Sequence, residues 1–220
     1  MWTLYTFGDS ILDSGAYNPL RLTAGELLVR NDDDVFPEFR GRDLSALGPT
    51  RLEHRAVDGS TVENLRGQLR GLTPPHSGES AAIVTVGGND LLAGLLLDPG
   101  PGFREFARSL EEFLRVLPVR PVWLGNVYDP TCGDDSRNFL GITPALARAG
   151  LARMNATLAE VAGRLGPSEG GLVDLHAHFL TGDASWFQNV IEPSLTGASE
   201  VRRAFLPFLT RSHRQVGSGS

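Results

Sequence analysis

Five short apolar runs recur along the chain, and each is followed by residues that favour turns. A run of four to eight apolar residues bounded by glycine, proline, asparagine or aspartate is typical of a buried β-strand. The pattern therefore predicts five strands, over residues 2–7, 52–57, 81–86, 122–127 and 171–175.

Two longer segments between these runs carry apolar residues three and four positions apart, which is the spacing of an amphipathic helix. The first consists of Phe103, Phe106, Leu110, Leu114 and Leu117, and it stops at a proline. The second covers residues 151–165, after a Thr-Pro pair and before a Gly-Pro pair that favour a helix start and a helix end. Strands that alternate with helices predict right-handed βαβ units and a parallel sheet.

Length and composition fit one soluble α/β domain. The chain has 220 residues, of which 41% are apolar and 21% are charged, and a chain of this length buries roughly 70% of the surface that it exposes when unfolded. We expect a single domain over residues 1–210. The segment 211–220 ends in Gly-Ser-Gly-Ser and is expected to form a tail outside the fold.

Charge and cysteine content exclude some classes of partner. The net charge is −6, whereas a nucleic-acid binder needs a clustered excess of lysine and arginine. No apolar run is long enough to cross a membrane, and the lone cysteine, Cys132, fits a reducing compartment. We therefore expect a cytoplasmic protein with neither a nucleic-acid partner nor a membrane span. The sequence does not indicate an oligomeric state.

Candidate chemistry lies where the first three predicted strands end. The first ends in Gly-Asp-Ser, and its Ser10 is either a helix N-cap or a nucleophile beside backbone N–H groups that would stabilise an oxyanion. The second ends at Gly59, which lacks a side chain and would let a ligand oxygen approach its N–H. The third ends in Gly-Gly-Asn-Asp, where Asn89 is either an N-cap or an oxyanion donor. In a parallel sheet, ligands bind at this edge.

Taken together and in this order, the three strand ends resemble the sequence blocks of SGNH/GDSL hydrolases. The resemblance rests on Ser10 in its Gly-Asp-Ser motif, Asp13, Gly59 and the Gly-x-Asn-Asp motif around Asn89. It implies a three-layer, flavodoxin-like α/β/α sandwich with a five-stranded parallel sheet. It also implies that Ser10 is the nucleophile, that Ser10, Gly59 and Asn89 form the oxyanion hole with Asp13 in support, and that the site needs neither metal nor cofactor.

The last sequence block of that family is altered in this chain. The family has Asp-x-x-His-Pro, whereas Asn189 stands here in the place of the aspartate and Glu192 in the place of the histidine. Reference pKa values of about 4.3 for glutamate and 6.5 for histidine make the carboxylate a weaker base, by about 3 kcal/mol or roughly 200-fold. A protonated glutamate is neutral and needs no counter-charge, and an asparagine can orient it. We therefore predict a Ser10–Glu192 dyad supported by Asn189.

Other bases and sites stay open at this stage. His178 follows the fifth predicted strand, and it either packs locally or reaches Ser10 with Asp174 or Asp183 as its orienter. His176 and His178 are poorly spaced for metal coordination, so we expect no metal site. Cys132 lacks an accompanying base and is expected to be an ordinary loop cysteine. The remaining histidines, none of which is expected to be catalytic, are His54, His76 and His213.

Two classes of function follow. The retained nucleophile and oxyanion donors favour a serine ester hydrolase that acts on a small acyl or acetyl ester and passes the acyl group to water or to another acceptor. The missing histidine and aspartate favour a catalytically impaired relative that binds a small ligand. We expect the hydrolase. Its substrate site is expected to be shaped by residues 17–47 and 128–143, while Trp186 and Phe187 either line it or belong to the core.

Overall fold

A five-stranded parallel sheet forms the centre of the protein. The computed structural model describes residues 1–73, 79–166 and 168–217, without the side chains of 215–217. The strands are β1 Trp2–Gly8, β2 Thr50–His54, β3 Ser80–Thr85, β4 Val122–Gly125 and β5 Gly170–Val173, and their order is β2-β1-β3-β4-β5. This confirms the parallel sheet and the three-layer α/β/α fold that the sequence predicts.

Helices cover both faces of the sheet. They are α1 Ala24–Val29, α2 Leu65–Gln68, α3 Gly88–Leu92, α4 Pro101–Val116, α5 Pro144–Gly163, α6 Leu175–Phe179 and α7 Leu195–Gly217. Both predicted amphipathic helices are confirmed as α4 and α5, although α5 begins earlier, at a proline capped by Thr143. Short 3-10 turns join several of these elements, over residues 15–17, 37–39, 44–47, 62–64, 95–97, 135–137 and 184–186.

The core lies on both sides of the sheet because successive side chains of a strand point to opposite faces. Ala82 and Val84 of β3 pack in one cluster with buried residues of α4 and α5. Their neighbours Ala81 and Ile83 pack in a second cluster with α1 and α7. A central parallel strand such as β3 is therefore buried at every position, which is why its sequence reads as a nearly continuous apolar run.

The chain ends differ from the sequence prediction. Helix α7 continues to Gly217, so residues 211–217, which were expected to lie in a tail, are helical. Residues 218–220 lie outside the described part of the chain, as does His76. A small antiparallel hairpin, β6 Phe187–Gln188 and β7 Glu192–Pro193, precedes α7.

The segment after β1 forms one tight turn, so Ser10 does not cap an α-helix, which was one of the two alternatives for this residue. The Asp9 carbonyl accepts hydrogen bonds from the N–H groups of Leu12 and Asp13 at 3.1 and 3.0 Å, and the next helix begins only at Ala24. The side chain of Asp9 also accepts from Ile11 N–H at 3.2 Å. Local side-chain hydrogen bonds of this kind compete with helix formation.

Candidate active site

Ser10, Asn89 and Glu192 line one cavity near the carboxyl ends of β1 and β3. These residues come from distant parts of the sequence, and the parallel sheet brings the first two together because both follow neighbouring strands. Ser10 is only 7% exposed, so its hydroxyl is reached through the cavity and not from the open surface.

Gly8 allows β1 to end abruptly before Ser10. Its φ is +125°, and a Cβ atom at this position would lie 1.8 Å from the carbonyl oxygen of Thr85, so no other residue fits. The buried side chain of Gln68 accepts a hydrogen bond from Gly8 N–H and donates one to Gly8 C=O, both at 2.8 Å. The turn that carries Ser10 is therefore held on both sides. Gln68 has no sequence signature and was not predicted.

The buried carboxyl of Asp9 also stabilises the turn that carries Ser10. Its Oδ1 accepts a hydrogen bond from the Thr85 hydroxyl at 2.8 Å. Burial raises the pKa of Asp9 to about 6, and the nearby charges of Glu192 and Asp90 act in the same direction. Near neutral pH Asp9 is consequently ionised, although its buried surroundings favour the neutral acid.

Asp9→Asn changes the free energy of unfolding, and we expect this change to be more stabilising at pH 7.5 than at pH 4. A carboxyl whose pKa is raised by folding, from about 3.9 to about 6, contributes stability while protonated and loses it as pH rises through that interval. The loss is on the order of 3 kcal/mol, and asparagine avoids it while keeping the acceptor for Thr85. Urea unfolding at both pH values measures the difference.

Asp34→Asn is the matched control, because Asp34 is an exposed aspartate on a loop. Its effect on the free energy of unfolding is expected to change little between the two pH values. An Asp9→Asn effect equally independent of pH would contradict a raised pKa of Asp9 in the folded protein.

Glu192 is the first residue of β7, and the hairpin holds it at the cavity. Gln188 pairs with it across the two short strands. The hydroxyl of Tyr128, which is buried, donates a hydrogen bond to the carbonyl of Ile191 at 2.7 Å. The backbone on both sides of Glu192 is therefore fixed by hydrogen bonds, and Tyr128 was not predicted from the sequence.

The pKa of the Glu192 carboxylate is shifted by its surroundings. Burial raises its pKa, a hydrogen bond with the Ser10 side chain lowers it, and the negative charge of Asp58 raises it again, with a net upward shift. Its Oε2 is buried and has no hydrogen-bond partner among the described residues. The carboxylate thus lies close to the Ser10 side chain and keeps one oxygen without a hydrogen-bond partner.

Asn189 does not hold Glu192 as expected. It lies exposed at the tip of the β6–β7 hairpin with φ +49°, and its side chain makes no hydrogen bond within the described part of the chain. Asparagine tolerates this left-handed conformation better than most residues, which explains its place in the turn. The fixed position of Glu192 comes from the hairpin pairing and from Tyr128 instead.

Asn89 lies at the cavity with part of its amide engaged. Its Nδ2 donates to the carbonyl of Ser60 at 3.0 Å, which leaves the second amide hydrogen for a ligand. Gly59 precedes Ser60 and has φ +76°, but it lies exposed in a neighbouring shallow depression and does not line the cavity. The part of Gly59 N–H in an oxyanion hole stays a prediction.

Asp13 connects the Ser10 turn to the loop that contains Gly59. One carboxylate oxygen lies 3.3 Å from Nε2 of His54, and the other accepts a hydrogen bond from Asp58 N–H at 3.0 Å. The side chain of Asp58 in turn accepts a hydrogen bond from the Tyr17 hydroxyl. Asp13 thus contacts the loop and not Ser10 or Glu192, and its supporting part in the site stays a prediction.

His178 is engaged away from the cavity. Its Nε2 lies 2.9 Å from Oε2 of Glu200, and its ring packs against Trp186. Trp186 and Phe187 contact Phe179 in the core, so neither lines the cavity. The four histidines in the described residues, His54, His176, His178 and His213, all lie outside the cavity lining.

Cys132 and metal sites receive no support from the geometry. Burial raises the pKa of the Cys132 thiol, and the residue is not part of the cavity lining. Within the described ranges, no group of three or more histidine, cysteine, aspartate or glutamate side chains is arranged to hold a metal ion. The helices of those ranges also include none with the length and apolar character needed to cross a bilayer.

Comparison with known proteins identifies the family of this chain. Residues 6–197 match the model of the GDSL-like Lipase/Acylhydrolase family. The chain belongs to that family. As a GDSL-like acylhydrolase it is a hydrolase of ester bonds, and it carries glutamate where the sequence analysis places the histidine of the family.

Solved structures with the same fold include three esterases or lipases. The acetylxylan esterase Axe2 from Geobacillus stearothermophilus is 19% identical, with a TM-score of 0.65 over 96% of this GDSL-like chain and 94% of its own. The lipase Lip_vut3 from a goat rumen metagenome is 16% identical, with a TM-score of 0.62 over 96% and 97% of the two chains. A lipase/acylhydrolase from Enterococcus faecalis is 18% identical, with a TM-score of 0.62 over 95% of each. The search of curated proteins found no match.

Proposed function

We propose that this protein is a serine ester hydrolase in which Ser10 is the nucleophile and Glu192 the general base. The observation that carries the proposal is the meeting of Ser10, Asn89 and Glu192 at one cavity, where the Ser10 side chain is close enough to the Glu192 carboxylate to influence its pKa. A nucleophile, a base within its reach and a neutral amide donor are the groups that acyl transfer requires.

The first half of the reaction acylates Ser10. Glu192 accepts the hydroxyl proton while the serine oxygen forms a bond to the ester carbonyl carbon, and the carbonyl electron pair moves onto the oxygen. The free amide hydrogen of Asn89, with the N–H groups of Ser10 and Gly59, stabilises that oxyanion. When the tetrahedral intermediate collapses, the bond to the alkoxy oxygen breaks, and protonated Glu192 returns its proton to the leaving alcohol.

The second half releases the acid. Glu192 removes a proton from a water molecule as its oxygen attacks the acyl carbon, and the proton passes to the Ser10 oxygen when that bond breaks. The products are the carboxylic acid and the free enzyme, so no redox partner or cofactor takes part. The substrate is a small ester with a neutral acyl group.

The environment of Glu192 offsets part of the disadvantage of a carboxylate base. Each unit by which the pKa rises is worth about 1.4 kcal/mol of proton affinity, and burial together with the charge of Asp58 raises it. Proton transfer converts the anionic carboxylate into a neutral acid, so no buried positive charge forms. A second carboxylate beside it, as in the Asp-x-x-His block of the family, is not required.

Labelling with a fluorophosphonate tests the nucleophile directly. We expect the probe to add once and fragment-ion mass spectrometry to place it on Ser10, at a rate that falls as acid protonates Glu192. Butyrate ester hydrolysis should decline in step with labelling. Turnover with the probe on another residue would contradict the proposal. Absence of both turnover and labelling, together with thermal stabilisation by an ester, would instead indicate a ligand-binding relative.

A further inference from the structure

The cavity is lined by two kinds of side chain. Polar groups lie around Ser10, whereas the part that we call its far end is lined by apolar side chains from three separate segments: the end of α3 with the turn after it, the loop between β4 and α5, and α5 itself. The apolar residues that define this far end are Leu92, Leu96, Phe139, Leu140, Ala147 and Leu151.

Polar side chains at the far end are already engaged with the protein. The Asn138 amide donates to the carbonyl of Ile142 at 2.6 Å, and the Thr131 hydroxyl donates to Asp129 at 2.7 Å. Each group therefore has one hydrogen already donated to the protein, which leaves it less able to bind the hydroxyls of a sugar.

The charged groups at the far end offset one another. The Arg148 guanidinium is paired with the Asp135 carboxylate at the rim. A cation that is already paired with a carboxylate attracts a carboxylate or phosphate on a ligand less strongly than a free cation does. The chemistry that fits this wall is an uncharged hydrocarbon.

The volume of the cavity sets the length of that hydrocarbon. The cavity measures about 120 Å³, and an apolar cavity of about 150 Å³ holds benzene with its six carbons. A chain of four or five carbons fills the space, and a slightly longer one ends against Leu92 and Phe139, which are 47% and 40% exposed at the surface.

The two arms of an ester meet different surroundings at Ser10. The Tyr17–Asp58 hydrogen bond and Asp13 lie beside Glu192. These groups are polar and partly exposed, unlike the apolar wall. That surface suits a polar alcohol better than an alkyl chain. The apolar wall is therefore the site of the acyl arm.

We infer that the far end of the cavity is an acyl-chain site. The enzyme is then expected to prefer esters with acyl chains of four to six carbons, from butyryl to hexanoyl, over acetyl esters. The inference rests on the proposed function and adds the substrate class to it. Burying each further methylene group in such a site raises kcat/KM by up to about fourfold, so hexanoate is expected to exceed acetate by at least tenfold.

Hydrolysis of p-nitrophenyl acetate, butyrate and hexanoate tests the chain-length preference. Ala147→Phe places a ring in the acyl site and is expected to reduce the hexanoate-to-acetate ratio at least tenfold. The matched control is Leu146→Phe, which adds the same ring one residue away at an exposed position outside the lining, and it should leave the ratio unchanged. Leu92→Thr removes apolar surface at a partly exposed position and is also expected to reduce the hexanoate-to-acetate ratio. It adds no bulky group that could disturb folding.

Each outcome separates this inference from the proposed function. Turnover with a flat chain-length profile, or a preference for acetate, would overturn the acyl-chain site and leave the Ser10 mechanism in place. So would a preference that follows the alkyl length of the alcohol in a series of alkyl acetates. Absence of turnover at every chain length, together with absence of Ser10 labelling, would instead remove the proposed function itself.

Discussion

Replacing Ser10 with alanine is expected to reduce kcat/KM for p-nitrophenyl butyrate by at least about 1,000-fold. The variant lacks the oxygen that forms the acyl bond, and loss of a nucleophile in enzymes of this type removes nearly all catalysis beyond binding and oxyanion stabilisation. The turn around residue 10 is held by Gln68 on Gly8 and by Thr85 on Asp9, so the fold should survive. Unchanged thermal unfolding would show that it does.

Ser14→Ala is a matched control for Ser10→Ala. Ser14 is four residues further along the same segment and fully buried, and its hydroxyl has no hydrogen-bond partner in the described chain. Removing an unpartnered hydroxyl leaves the backbone in place and costs little. We expect its activity to stay within about twofold of the parent. Ser10→Ala activity within tenfold of the parent would show that Ser10 is not the nucleophile.

The fold could be predicted because the apolar pattern of this chain indicates its central strands and long helices with little ambiguity. Central strands of a parallel sheet are buried on both faces, so β3 reads as a plain apolar run, and α4 shows a regular 3,4 spacing. The boundaries were less certain. Strand β2 ends at His54, three residues before the predicted end, although Val57 N–H still bonds to the carbonyl of Gly8. Hydrogen bonding continues there without strand geometry.

The candidate site was predictable where a residue's place depends on the topology. Ser10 and Asn89 follow neighbouring parallel strands, and any parallel sheet with this order brings them to one edge. Glu192 was assigned through the flanking proline and glycine of a sequence block, and the hairpin places it at the same cavity.

Residues that act through hydrogen bonds to the backbone could not be predicted. Gln68 lies inside a short helix and Tyr128 follows β4, and neither position has a sequence pattern that indicates its partner. Asn189 shows the reverse case, in which a sequence pattern suggested a contact that the structure does not contain. Its side-chain chemistry suggested a hydrogen bond to Glu192, whereas its backbone conformation at the hairpin tip is what the position demands.

Replacing Glu192 with glutamine is expected to lower kcat/KM by about 100- to 10,000-fold, the range over which general bases contribute. The change is nearly isosteric, and the hairpin pairing and the Tyr128–Ile191 hydrogen bond do not involve the side chain. The pH profile gives a second measure. The base acts as a carboxylate, so parent activity rises with pH through the raised pKa of Glu192, and this acidic limb should disappear in the variant.

Asn189→Gly separates the role of Glu192 from general damage to the hairpin. Residue 189 has a positive φ that glycine adopts freely, so the variant keeps the turn and removes only the amide. We expect it to retain parental activity and the parental acidic limb, because the Asn189 amide makes no hydrogen bond to Glu192 among the described residues. If Glu192→Gln lost less than a few-fold activity and kept the acidic limb, another group would have to accept the Ser10 proton, and the dyad would be wrong.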